Sequence, residues 1–285
     1  MASPHHDKIS GPGKGRITSD FPGFQGVRAQ NLPTRLQEEP KVKETDAIFA
    51  NVQQVHQQAA SEPQTLRLSL DTKAAVLIGP FSRGGKSRTG TEAVDHDFKP
   101  DGALIPFGIF QPQTSASELF FTDSKVSSDF MADCLEQWLQ ERGEAIKEVR
   151  KLVLDLDNGP ENSGQRSQWL LRMVLLAQKY QWLVVLVYYP PYHSKYNPIE
   201  RLWGLLEAYW RGELLDSEAA VLGYARNMTY NGMHPQVHRW TQQYPKGVKL
   251  TRAQKKRLEQ RLQRKPGLEK WAIEIPPPPP GQAII

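Results

Sequence analysis

Three carboxylates carry the chemistry this sequence could do. Asp71 closes a run in which Leu66, Leu68 and Leu70 alternate with polar residues, Asp157 follows the apolar run Val149 to Leu156, and Glu200 stands just inside a helical pattern that opens at Pro198. Acids gathered at the ends of elements cannot all stay ionised without a counter-charge, and hard oxygen ligands with room for water suit Mg²⁺ or Mn²⁺. Two such ions about 3.5 to 4 Å apart would activate a water or a 3′-hydroxyl and stabilise the leaving oxygen of a phosphodiester. Asp71, Asp157 and Glu200 are therefore the expected catalytic residues and metal ligands, with two divalent ions as cofactor.

Each acid also has a purely structural role to weigh. Asp157-Asn158-Gly159-Pro160 is a strong turn sequence, and Asp155 has the same strand parity, so the residues alone leave the two aspartates in competition. Asp157 is preferred because a solvated ion reaches a strand end more readily than a position one pleat deeper. Asn197-Pro198-Ile199-Glu200 is close to a capping box, which would account for Glu200 by helix termination alone. On that helix Ile199, Leu202, Trp203, Leu206, Tyr209 and Trp210 form the apolar stripe, with Glu200, Gly204 and Glu207 on its rim. Gly204 is expected to make room for a close-approaching backbone. Asp71-Thr72-Lys73 could be a hairpin turn, and Asp95 and Asp97 are spaced like ligands but lie in a loop-like stretch.

Cations and rings surround these acids in sequence. Gly79 to Ser87 invites a phosphate-loop reading, but Pro80 occupies the position of the first glycine and no apolar helix follows. Its Arg83, Lys86 and Arg88 suit contacts to a nucleic-acid backbone. Tyr188 to Tyr196, with His193 and Lys195, could stack bases and hold phosphates beside Glu200. Beyond Gln243 the chain turns basic, and Lys255, Lys256 and Arg257 are further candidate DNA contacts.

The elements that must position these groups follow from periodicity. A short amphipathic helix runs from Thr45 to about Ala60 and Pro63 stops it; Leu66 to Asp71 and Ala74 to Ile78 look like a hairpin. Strands are expected at Ala103 to Phe110, Glu118 to Thr122, Val149 to Leu156 and Leu183 to Tyr189, and helices from Ser128 to Gly143, from Gln165 to Tyr180 and from Pro198. Strands first, then strand-helix alternation, argue for an α/β mixed sheet with helices on both faces. If the first and fourth strands are parallel neighbours, Asp71 and Asp157 emerge at one edge. Of 285 residues 39 % are hydrophobic, enough for one large domain or two small ones, and no apolar run approaches the roughly 18 residues of a membrane span. One cysteine, Cys134, excludes disulfide frameworks and multi-cysteine metal sites, and a net charge of +5 makes a polyanionic partner plausible.

The stretches Ser69-Leu70-Asp71-Thr72-Lys73, Asp157-Asn158-Gly159-Pro160-Glu161-Asn162 and Tyr189 to Glu200 resemble the DDE domain of bacterial insertion-sequence transposases, most closely the ISAzo-thirteen type. Ile78 to Ser87 and Tyr244 to Lys249 extend the resemblance, which covers roughly Thr45 to Ile275. It implies a ribonuclease H-like five-stranded mixed sheet flanked by helices, two Mg²⁺ (or Mn²⁺) ions, and DNA strand cleavage and transfer carried by Asp71, Asp157 and Glu200. It further implies transposon-end and target DNA as partners, a homodimer on paired ends, and a bacterial cytoplasmic, nucleoid-associated location. Residues 1–44 show no paired helices of a DNA-binding helix-turn-helix, so the chain reads as a truncated copy. The expected division is a disordered or truncated segment 1–44, a connecting helix 45–64, the catalytic domain 65–243, a basic arm 244–275 and a Pro-rich tail 276–285. A non-catalytic DNA-binding remnant and a nuclease or resolvase of the same fold are the rival readings.

Overall fold

The computed structural model describes residues 42–81, 83–84, 99–245 and 249–279. The expectations for residues 1–41, and those for Lys86, Arg88, Asp95, Asp97 and Lys246, lie outside the described residues. The elements run α1 (Thr45–Ser61), β1 (Thr65–Thr72), β2 (Val76–Ile78), β3 (Gly102–Gln111), β4 (Ala116–Thr122), α2 (Ser128–Arg142), β5 (Lys151–Leu156), α3 (Ser167–Tyr180), β6 (Leu183–Tyr188), α4 (Glu200–Trp210), α5 (Glu218–Asn227), β7 (Gln236–Trp240), α6 (Arg252–Glu259), β8 (Gln263–Arg264) and β9 (Ala272–Ile275).

The alternation of Leu66, Leu68 and Leu70 with Arg67, Ser69 and Asp71 splits β1 between two cores, because successive strand side chains point to opposite faces. The three leucines meet Phe130, Leu135 and Trp138 of α2 and Trp169 and Met173 of α3. On the other face Leu119 and Phe121 pack on Leu202, Trp203, Leu206 and Trp210 of α4, and Val153, Val185 and Val187 pack under Ile48 and Val52 of α1. Ser127 caps α2 by accepting from the Phe130 N–H, and Gly143 ends it at φ 35°, a conformation glycine adopts without strain.

Five strands in the order β4-β3-β1-β5-β6 form the centre of the mixed sheet expected from the sequence, with β1, β5 and β6 parallel and β3 and β4 antiparallel to their neighbours. The sheet is larger than five strands. β7 adds in parallel to β4, while β9 and then β8 continue beyond β6, so part of the expected basic arm belongs to the sheet. The Leu66–Ile78 hairpin is a further correction: β2 pairs with β3, since both edges of β1 are taken by β3 and β5. Among the described residues no helix is long and apolar enough to cross a membrane.

Candidate active site

Parallel pairing of β1 with β5 runs from Thr65 opposite Lys151 to Ser69 opposite Asp155, so the next pleat brings Asp71 and Asp157 out side by side at the carboxyl end of the sheet. Asp71 is buried, at 7 % exposure, whereas Asp157 is half-buried just past the end of β5. Asp157 Oδ1 accepts from the Gly159 N–H (3.1 Å) and from Asn162 Nδ2 (3.0 Å). The turn role is present, and the loop uses one oxygen to fix the carboxylate beside Asp71.

Glu200 arrives on α4, which is tied to β1 at three points. Ser69 Oγ donates to Asn197 Oδ1 (2.5 Å) and accepts from the Ile199 N–H (3.0 Å), and Asn197 Nδ2 donates to the Leu70 carbonyl (3.2 Å). One turn on, Trp203 Nε1 donates to Asp71 Oδ2 (2.8 Å). Residues three apart share a helix face, so the helix that holds Trp203 on Asp71 carries Glu200 along the same side. The capping-box account of Glu200 is overturned. Asn197 spends its carboxamide on β1, and the N-cap of α4 is Ile199, without a side-chain cap.

The close approach is made possible by a glycine on the sheet, not by the one on the helix. A Cβ on Gly108, the β3 partner of Asp71, would lie 2.7 Å from both Ile199 Cδ1 and Trp203 Cη2, while a Cβ on Gly204 meets nothing within 4 Å. The expectation for Gly204 is therefore corrected: it is exposed, and its helix turns another face to the sheet. Trp203 as a partner of Asp71, and Gly108 beneath it, were not read from the sequence. A glycine inside the strand Ala103 to Phe110 was the available signal.

The site is electrostatically under-compensated. Burial first, and then the charge of Asp157, push the Asp71 carboxyl up to about 7; the charge of Glu200 adds to this and the Trp203 hydrogen bond opposes it. Asp71 thus feels both other acids, and among the described residues it has no ion pair. By contrast Asp155 is fully buried and held by Arg67 (2.7 Å) and by His56 of α1 (2.8 Å), so its ligand capacity is already used. Glu207 pairs with Lys73 (2.9 Å) and Arg83 (3.0 Å), which hold its carboxyl below the usual range against the opposing effect of burial.

Three carboxylates are hard oxygen donors of the kind that Mg²⁺ or Mn²⁺ prefers. Their oxygens are not all within 4.8 Å of one another; among the described residues only Glu118, Glu141 and His238 meet that limit. A two-ion site does not require it. With metal–oxygen distances near 2.1 Å and ions about 4 Å apart, ligands on different ions can stand roughly 8 Å from each other.

The candidate DNA contacts divide. Arg83 is bonded to Glu207 and lies 5.1 Å over the Trp210 ring, so it is engaged on α4. His193 is buried, its Nδ1 2.7 Å from the Pro191 carbonyl and its ring against Phe49 and Tyr196. Lys195 is exposed, with its Nζ 5.4 Å from the Tyr196 ring centroid, and Tyr192 and Tyr196 are 72 % and 54 % exposed. Lys255, Lys256 and Arg257 are exposed on α6, a helix closed by a Thr251–Gln254 capping box.

Among solved structures the chain is similar to a Mos1 transposase paired-end complex with left transposon end (TM-score 0.47, 11 % identity, covering 70 % of this chain and 58 % of that one). It is also similar to the Mos1 mariner paired-end complex with Mn (TM-score 0.47, 10 % identity, 68 % and 57 %) and to the Mos1 strand transfer complex (0.42, 12 %, 70 % and 57 %). The chain therefore spans less than two thirds of the length of these neighbours. No curated protein matches it. Residues 25–277 match the model of the Rhodopirellula transposase DDE domain, and with nearly the whole chain inside that match the protein belongs to this transposase family.

Proposed function

We propose that this protein cleaves and transfers DNA strands with two divalent ions, Mg²⁺ or Mn²⁺, held by Asp71, Asp157 and Glu200, as the transposase of a bacterial insertion sequence. The observation that carries this reading is the convergence of the three acids: adjacent parallel strand ends present two aspartates, and α4, tied to Asp71 through Trp203, brings the glutamate. When bound, the ions supply an activated water or 3′-hydroxyl and stabilisation of the leaving oxygen.

The chain's own residues do the positioning. Trp203 fixes one oxygen of Asp71. Gly159 and Asn162 orient Asp157 through Oδ1 alone. The Ser69–Asn197 pair sets the start of α4, and hence the height of Glu200 over the sheet. Lys195 and the exposed Tyr192 and Tyr196 lie on the loop leading into α4, where a DNA backbone and unstacked bases would pass. Lys255, Lys256 and Arg257 would add backbone contacts at a distance from the chemistry. Joining two ends calls for two copies of the chain, so the acting form is proposed to be a homodimer on DNA.

The direct test measures metal-dependent nicking of duplex DNA by wild type and by Asp157→Asn. Loss of nicking with retained DNA binding is expected, and equal activity in the two proteins would remove the assignment. A non-catalytic DNA-binding role is favoured only by the exposed cations of α6; it predicts salt-sensitive binding with no cleavage in the wild type.

A further inference from the structure

The opposite face of the sheet holds a second group of potential ligands that the DDE chemistry does not use. Glu118 of β4, Glu141 in the last turn of α2 and His238 of β7 each offer a ligand atom within 4.8 Å of the others. Glu118 is fully buried. Its neighbour Leu119 aligns through Gly108 with Asp71, so strand alternation turns Glu118 away from the catalytic acids.

Two buried atoms in this group lack a hydrogen bond, although Arg142 and His238 together hold the Glu118 carboxyl below its usual range against the opposing effect of burial. Glu118 Oε2 and His238 Nε2 are both buried and neither makes a hydrogen bond. Arg142 reaches only the other oxygen, Oε1, at 3.3 Å, and is itself stacked 3.7 Å over the Trp138 ring and bonded to the Trp138 carbonyl. The His238 ring stacks on Phe120, with centroids 4.8 Å apart and planes at 15°. Nε2 lies 3.8 Å from Glu118 Oε1. That is too long for a hydrogen bond, yet close to the roughly 3.4 Å expected between two ligands that share one tetrahedral ion at about 2.05 Å. A buried polar atom without a hydrogen bond is costly, and a cation held by Nε2 and the Glu118 carboxylate lowers that cost.

We infer that Glu118, Glu141 and His238 form a structural site for a divalent transition ion of the Zn²⁺ class, which staples the edge strand β7 and the end of α2 to β4. One imidazole with two carboxylates matches Zn²⁺, with water in the fourth position, whereas Mg²⁺ prefers oxygen donors and retains several waters. β7 is the outer strand of the sheet, and its residues are exposed or half-buried. Strands of this kind open first, so a staple here protects the place most prone to fray.

The test is made in the Asp157→Asn background, so that ions held by the catalytic acids do not enter the measurement, and its outcome is independent of whether the protein cleaves DNA. Metal-free protein is titrated with Zn²⁺ by calorimetry, and the amide exchange of residues 236–240 is followed. One Zn²⁺ per chain is expected, with slower exchange in β7 and no comparable effect from Mg²⁺. Adding Glu141→Gln, an exposed substitution that leaves the buried Glu118 in place, or His238→Gln, should weaken Zn²⁺ by at least about 100-fold, since even second-sphere changes cost 10- to 100-fold. Absence of Zn²⁺ uptake, or uptake that neither substitution weakens, overturns the inference.

Discussion

Replacing Asp71 by Asn should abolish nicking and at the same time stabilise the metal-free protein above neutral pH. The carboxyl is buried and faces the charges of Asp157 and Glu200, which together raise it from 3.8 to about 7. An acid raised on folding keeps its proton in the native state while the unfolded chain loses it. Stability is therefore unaffected below about pH 4, falls as pH rises from about 4 to about 7, and stays at the lower level above that. At about 1.4 kcal/mol per pH unit the upper bound is about 4 kcal/mol, and solvation of a metal-free site brings the expected order to about 2 kcal/mol. Asn keeps an oxygen for Trp203 Nε1, so the substitution removes charge and spares the hydrogen bond. Thermal unfolding in EDTA should show wild type and Asp71→Asn nearly equal at pH 4, with the variant higher by roughly 4–8 °C at pH 8. Adding Mn²⁺ at pH 8 should raise the wild type more than the variant. A variant that is less stable than wild type at pH 8, or a difference that does not change with pH, would refute the reasoning that these acids share an uncompensated site.

Three other perturbations separate positioning from chemistry. Gly108→Ala drives a Cβ into Ile199 and Trp203, and should cost about 1–3 kcal/mol by chemical denaturation and reduce nicking as α4 is displaced; unchanged activity would show that α4 need not lie so close. Asp155→Asn leaves Arg67 and His56 without their buried partner and should cost about 3 kcal/mol, yet the folded fraction should retain metal-dependent nicking, unlike Asp157→Asn. Reversing Lys255, Lys256 and Arg257 to Glu should weaken DNA binding and flatten its logarithmic salt dependence by about 3 if each meets a phosphate; an unchanged slope would take α6 off the DNA path.

Much of the fold was legible because strand and helix periods are written locally. Leu66, Leu68 and Leu70 announce β1, and the α4 stripe of Ile199, Leu202, Trp203, Leu206 and Trp210 is buried as the wheel predicts. What periodicity does not carry is partner choice. β2 pairs with β3 because β1 is saturated on both edges, and β7, β8 and β9 are short strands whose status depends on an edge offered elsewhere in the chain. The basic composition beyond Gln243 hid β9, since Ala272–Ile275 becomes a strand by pairing with β6 and β8.

The same division holds at the site. Residue types and their places at element ends were enough to nominate Asp71, Asp157 and Glu200, because hard carboxylates at strand termini are a local property. That Asp155 is engaged, and that Asn197 does not cap the helix of Glu200, depended on distant residues: Arg67 and His56 hold that aspartate, and Ser69 takes over the start of α4 from across 130 positions. Compensation of charge is a property of three-dimensional neighbours, so the tertiary structure alone decided which of the described carboxylates are paired.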